Sequence, residues 1–277
     1  MAPDPETTAR LTSYGDVWWA AVEDLLDLVA DVPDDAWSAP TDLAGWDAHA
    51  VLAHLAHLEA VAVDTPHTPV DIGDAPHVRN DMGRFTEEGV VARRDRSPAE
   101  LVDELRTATA ARRAALVATP PTEPTAPAPT VYGAIGWDTE TFLGNRPLDI
   151  WMHEQDLRRA LDRPGGLQGV PAAYCTQKLL RSLPYVVGKR VAPPAGTTVV
   201  LSVGELPPVG VEIGDDGRAR PLDVDGLPGD PTTRLATDLE TYTIAAGGRR
   251  PVDVSRWQVS GDADLASRVL ENLAVTP

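Results

Sequence analysis

The run Leu148-Asp-Ile-Trp-Met-His-Glu-Gln-Asp-Leu-Arg-Arg-Ala-Leu161 sets a carboxylate, an imidazole and a second carboxylate at helical intervals. His153 follows Asp149 by four residues and Asp156 follows His153 by three, spacings that stack side chains on one helix face. Ile150, Leu157 and Leu161 form an apolar stripe beside that face, so a bundle that buries the stripe draws the polar face inward. Buried charge has to be paired or coordinate a metal. Zn²⁺ accepts His nitrogen and Asp oxygen at roughly 2.0–2.2 Å, and a set of three protein ligands leaves a fourth position for water or substrate. Asp149 and His153 supply two such ligands.

A third is expected from Gly45-Trp-Asp-Ala-His-Ala-Val-Leu-Ala-His-Leu-Ala-His-Leu58, where Val51, Leu52, Leu55, Leu58 and Val61 repeat at helical spacing. At about 100° per residue His54 falls inside this stripe, His57 at its edge, and His49 points away. The residues alone also permit a plainer reading, a core histidine on one helix and a solvated Asp/His face on the other.

The pairing of a Gly-Trp-x(7)-His helix with an Asp/Glu-x-x-x-His-x-x-Asp helix resembles the DinB-like metal proteins, and specifically the mycothiol-dependent maleylpyruvate isomerase family. The phrase from Asp149 to Arg158 carries most of that likeness. The resemblance covers nearly the whole chain. It implies an α+β protein: an N-terminal four-helix bundle over residues 1–166 and a small C-terminal α+β domain over 167–277. It implies a divalent metal, zinc foremost, held by His54, Asp149 and His153, and mycothiol as the cofactor thiol. Asp149 is shorter than the Glu of some members and would draw the ion toward its own helix. In the implied reaction a thiolate adds to the cis double bond of a maleyl substrate, the resulting single bond rotates, and elimination gives the trans product.

Composition bounds the possible partners. A net charge of −18 and a pI near 4.6 repel nucleic acid and anionic membranes. Hydrophobic residues make up 43% of the 277, enough for one large or two ordinary cores. No apolar run reaches the roughly 20 residues that span a bilayer. A single cysteine, Cys175, excludes an intrachain disulfide, and with a start lacking a secretory pattern it suggests a cytoplasmic setting. Lys178 and Lys189 are the only lysines beside abundant arginine, a bias of GC-rich genomes that fits an actinobacterial, mycothiol-making host.

The elements that would position the ligands follow from periodicity. A first helix is expected over Thr8–Val32, a second carrying His54 to about Val63, and a weakly helical, arginine-rich stretch over Val78–Arg96. Ser97-Pro-Ala-Glu100 reads as a capping box opening a helix to about Ala118. His67 and His77 sit in or beside a Pro/Asp/Gly-rich loop and read as loop residues rather than ligands. The last bundle helix begins near Asp138, with Pro147 expected either to kink it or to mark a restart capped by Asn145. Beyond the Arg163-Pro-Gly-Gly166 boundary come a helix over Ala172–Val187, strands at Thr197–Val203 and Val209–Ile213, and a turn at Gly214–Gly217. A helix over Thr232–Ala246, a strand Val254–Ser260 and a closing helix capped by Asp262 complete the reading.

Nucleotide-cradle and nucleophile-elbow motifs are absent, and His153-Glu154-Gln155-Asp156-Leu157 lacks the second histidine of a zinc protease. Glu154 lies about 100° from His153 around the helix and reads as a surface or interhelix residue. Asp156 would orient His153 or a bound water, or pair with Arg158 or Arg159. Cys175 reads as a buried, inert thiol, so the nucleophilic thiol would come from a cofactor. Carboxylates of an electrophilic substrate would be held by Arg84, Arg249 and Arg250, with Arg79 and Asn80 toward the thiol. The same constellation would serve mycothiol S-transfer. A metal-binding regulatory or interaction module without turnover, as monomer or homodimer, is the reading from another class.

Overall fold

A computed structural model describes residues 4–276 and divides the chain into two compact units, the first ending at Ala172 and the second beginning at Ala173. In the first unit α1 (Pro5–Val29), α2 (Ala48–Ala62), α4 (Pro98–Ala118) and α6 (Thr139–Ala160) close a four-helix ring in which α1 packs on α6 and α4, and α2 packs on the same two. The shorter α3 (Asp81–Val91) lies on α2, and α5 (Thr130–Ala134) precedes α6. Trp18 and Leu25, Val51 and Leu55, Leu101 and Leu105, and Ile150 and Leu157 meet in one core drawn from all four long helices.

The helix starts obey local chemistry. Asp4 accepts from Thr7 N at 3.0 Å with Pro5 at the first helical position, so α1 begins earlier than Thr8 and stops at Val29. Ser97 and Glu100 form the expected capping box. Within Val78–Arg96 the helix is confined to Asp81–Val91 and capped by Asn80. Pro147 marks no restart. Asp138 caps one helix by accepting from Thr141 N at 2.8 Å, and that helix runs through Pro147, so Asn145 is an interior residue.

Helix α7 (Gly169–Leu180) leads into the second unit, followed by α8 (Leu183–Tyr185) and a π-helical turn over Val186–Val191. Among the described residues the sheet has five strands, β1 (Thr198–Val203), β2 (Val209–Ile213), β3 (Ala219–Leu222), β4 (Thr233–Thr237) and β5 (Gln258–Gly261), in the order β3-β2-β1-β4-β5. The Gly214–Gly217 turn joins β2 to β3. Segment Thr233–Thr237 is a strand where a helix was expected. It pairs in parallel with β1, Leu235 opposite Leu201, and α9 (Leu239–Ala246) starts only after it. Residues 254–256 form a 3-10 turn before β5, and Asp262 caps α10 (Ala263–Glu271) as expected. The whole is α+β, and among the described residues no helix is long and apolar enough to cross a membrane.

Candidate metal centre

Helices α2 and α6 pack side by side, and their contact brings the three candidate ligands together. His54, Asp149 and His153 each offer one ligand atom, all within 4.8 Å of one another. Asp149 Oδ1 lies 3.7 Å from Nε2 of both His54 and His153. The two imidazoles meet edge to face with centroids 4.7 Å apart. Donor atoms around a tetrahedral ion at the usual bond lengths are roughly 3.3–3.6 Å apart, so small side-chain adjustments suffice to embrace one.

The protonation states suit a cation. Burial pushes the His54 imidazole below its ordinary range, against the opposing influence of Asp149. Burial also opposes charge on Asp149, but Arg146 and then His54 hold the carboxyl well below the usual carboxylate range. A neutral imidazole and an ionised carboxylate are the forms that bind metal. Both His54 nitrogens are buried without a hydrogen-bond partner, an arrangement costly in a dry helix interface unless a ligand satisfies it.

Each candidate ligand is backed by another residue. His153 Nδ1 lies 3.0 Å from Asp156 Oδ2, which leaves Nε2 on the side of Asp149. Asp156 also accepts from Arg159, whose Nε donates to Asp42, so its orienting role and its ion pair coexist. The Trp46 ring packs 4.8 Å from His54 and its Nε1 donates to Glu87 at 2.8 Å. Gly45, at φ 84°, lets the His77 ring lie close beside this turn, since a Cβ there would come within 2.6 Å of it.

Behind Asp149 lies a charged cluster that residue spacing did not announce. Glu59 is fully buried and accepts from Arg146 Nε and Nη2 at 3.0 and 2.6 Å, from Arg112 at 3.1 Å and from Trp18 Nε1 at 3.2 Å. Arg146 Nη1 also reaches Asp149 Oδ2 at 3.0 Å. The guanidinium of Arg112 stacks between the Trp18 and Phe142 rings at 4.3 and 4.6 Å from their centroids. The available signal was Glu59 itself, the sole acid in the apolar run Ala48–Ala62.

The other histidines are accounted for. His67 pairs with Glu88 at 2.8 Å and His77 with Glu87 at 2.9 Å. His49 Nε2 lies 2.8 Å from the Arg96 carbonyl. His57, expected at the edge of the apolar stripe, is buried against α3, with Arg93 3.2 Å from its Nδ1. Glu154 is no surface residue: it is fully buried, accepts from Arg158 Nε at 2.6 Å, and burial pushes its carboxyl up to about 7.

The remaining candidates are placed individually. Arg79 and Arg84 are exposed at the start of α3, Arg84 standing 4.0 Å from Glu88, and the Asn80 side chain accepts from Gly83 N as the α3 cap. In the second unit Arg249 is buried and donates to the Gly247 carbonyl, while Arg250 is exposed. Cys175 is buried.

Comparison with known proteins bears on the whole chain. The family described as "Mycothiol maleylpyruvate isomerase N-terminal domain" matches residues 18–158, and the "MDMPI C-terminal domain" matches residues 170–268. Among solved structures the chain is similar to the crystal structure of the mycothiol-dependent maleylpyruvate isomerase, with TM-score 0.52 and 17% identity, covering 91% of this chain and 94% of that one. A mutant of that enzyme gives TM-score 0.53 and 16% identity with the same coverage. At such identities the likeness shows the fold. No curated protein matches the sequence.

Proposed function

This chain belongs to the mycothiol maleylpyruvate isomerase family, and from that premise we propose that it is a metal- and mycothiol-dependent isomerase or S-transferase acting on a small, maleylpyruvate-like electrophile. His54, Asp149 and His153 would hold one divalent ion. Their His₂Asp donor set and open fourth position favour zinc. When bound, such an ion supplies Lewis acidity that makes a thiol a thiolate near neutral pH. The cofactor thiol supplies a nucleophile whose reversible addition to a cis double bond permits rotation before elimination.

The chain's own residues prepare the site. Asp156 fixes the His153 ring so that Nε2 faces the cluster. Trp46 covers His54 with an apolar face, which limits water around the ligands. Arg84, exposed at the α3 start, is a candidate for substrate carboxylates, which a guanidinium binds in bidentate fashion, and the exposed Arg79 beside it is a candidate for the thiol cofactor. Asn80, already committed to capping α3, would meet the thiol cofactor through its side-chain amide.

The observation that carries this reading is the convergence of His54, Asp149 and His153, with both His54 nitrogens buried and lacking a hydrogen-bond partner. The test is metal analysis followed by a thiol-dependent assay. Purified protein should carry about one zinc or similar ion per chain, and consumption of maleylpyruvate or a model electrophile should require metal and mycothiol together. The His54→Ala variant should lose both properties. Metal-free protein that takes up no ion, or metallated protein inert with mycothiol across an electrophile panel, would overturn the reading.

A further inference from the structure

The two oxygens of Asp149 face different partners. Oδ1 lies 3.7 Å from each candidate imidazole nitrogen, whereas Oδ2, buried and without a hydrogen-bond partner, forms an ion pair with Arg146 Nη1 at 3.0 Å. Arg146 sits one turn before Asp149 on α6 and is itself almost fully buried. Its other two nitrogens, Nε and Nη2, are both engaged by Glu59 Oε1 on α2, so the guanidinium is held on two sides. Glu59 is balanced in turn by Arg112, which leaves Arg146 as the counter-charge of Asp149.

A carboxylate that binds a metal through both oxygens fills two coordination positions. With two imidazoles that would complete a tetrahedral set and leave no place for an exogenous thiol. Chelation by Oδ2 here would require breaking a buried ion pair, which is costly when it strands a charge. We infer that Arg146 is a positioning residue: by its ion pair with Oδ2 it biases Asp149 to a single-oxygen ligand and keeps the fourth coordination position open. This inference rests on the metal-binding reading above and concerns how the site stays accessible rather than whether it binds an ion.

Cobalt(II) titration of the full-length apoprotein, followed by visible absorption, tests both levels separately. Wild type should take up Co²⁺ with tetrahedral d–d bands, and added 2-mercaptoethanol should raise a sulfur-to-cobalt charge-transfer band. In Arg146→Gln, where Glu59 keeps Arg112 and Trp18, Co²⁺ should still bind, but the thiol concentration for half-maximal charge transfer should rise about tenfold or more. Arg146→Lys, which keeps the cation, should restore much of the thiol response. If Arg146→Gln does not fold by circular dichroism, Glu59→Gln takes its place: it keeps an acceptor but removes the charge that anchors Arg146, and should shift the thiol titration in the same direction by a smaller factor. Unchanged thiol titration in the folded variant sinks the inference alone, and failure of wild type to take up Co²⁺ sinks the metal-binding reading.

Discussion

His153 Nδ1 and Asp156 Oδ2 are 3.0 Å apart, one turn along the same helix, and this contact determines which imidazole nitrogen faces His54 and Asp149. Removing it should leave the ligand in place but loosely aimed. Asp156→Ala is expected to lower metal affinity about 10–100-fold. Competition against a coloured chelator measures this directly, and an affinity equal to wild type would show that helix packing alone orients His153.

Glu59 joins α1, α2, α4 and α6 through Trp18, Arg112 and Arg146. Burial opposes its charge, yet Arg146 and Arg112 hold the carboxyl below its ordinary range. Glu59→Ala strands two buried guanidinium groups and should cost about 3–5 kcal/mol in urea unfolding. Glu59→Gln, which retains an acceptor, should cost less. A loss below about 1 kcal/mol for the alanine variant would mean that water replaces the carboxylate.

His57 gives the bundle an acid-side weakness. Burial first, then the neighbouring Arg93, pulls its imidazole down from an ordinary 6.5 to about 3. Between those values the unfolded chain binds a proton that the folded chain refuses, so this contribution is complete above 6.5 and shrinks as pH falls. At pH 5.5 the wild type should have lost about 1.4 kcal/mol that His57→Gln does not lose. Urea midpoints of the two proteins at pH 7.5 and 5.5 give the difference, and parallel shifts would exclude His57 as the source.

Gly89 is required by the close approach of α3 to α2. A Cβ at that position would stand 2.0 Å from the His57 ring. Helix propensity alone favours alanine over glycine by about 1 kcal/mol, so the sign of Gly89→Ala tests the contact. The clash should dominate and give a net loss of about 1–3 kcal/mol. A stabilised variant in thermal melts would show that α3 moves aside freely.

The convergence of His54, Asp149 and His153 was legible because it obeys local rules: Asp149 and His153 share a face through their spacing, and His54 betrays itself by standing in an apolar stripe. The architecture was readable for similar reasons, since caps such as Asp138 and Ser97 act within one turn of their helices. What stayed hidden depends on chain segments remote from one another. Glu59, Arg112 and Arg146 lie on three helices, and nothing in any one stretch says that they converge. Residues 233–237 satisfy no strong local preference and become a strand through parallel pairing with β1. Glu154 read as a surface or interhelix residue, and its full burial was not legible because it depends on the loop at Gly165 and Gly166 folding back against α6, where Trp151 Nε1 donates to the Gly166 carbonyl.

Because one candidate ligand sits on α2 and the other two on α6, an ion seated among them would act as a removable cross-link between segments remote in sequence. Free metal concentration would then become a thermodynamic variable of the bundle itself. At one hundred times its dissociation constant, an ion that binds only the folded chain adds about 2.7 kcal/mol of stability. A cell starved of that metal would therefore hold a looser, more protease-sensitive protein as well as a less active one.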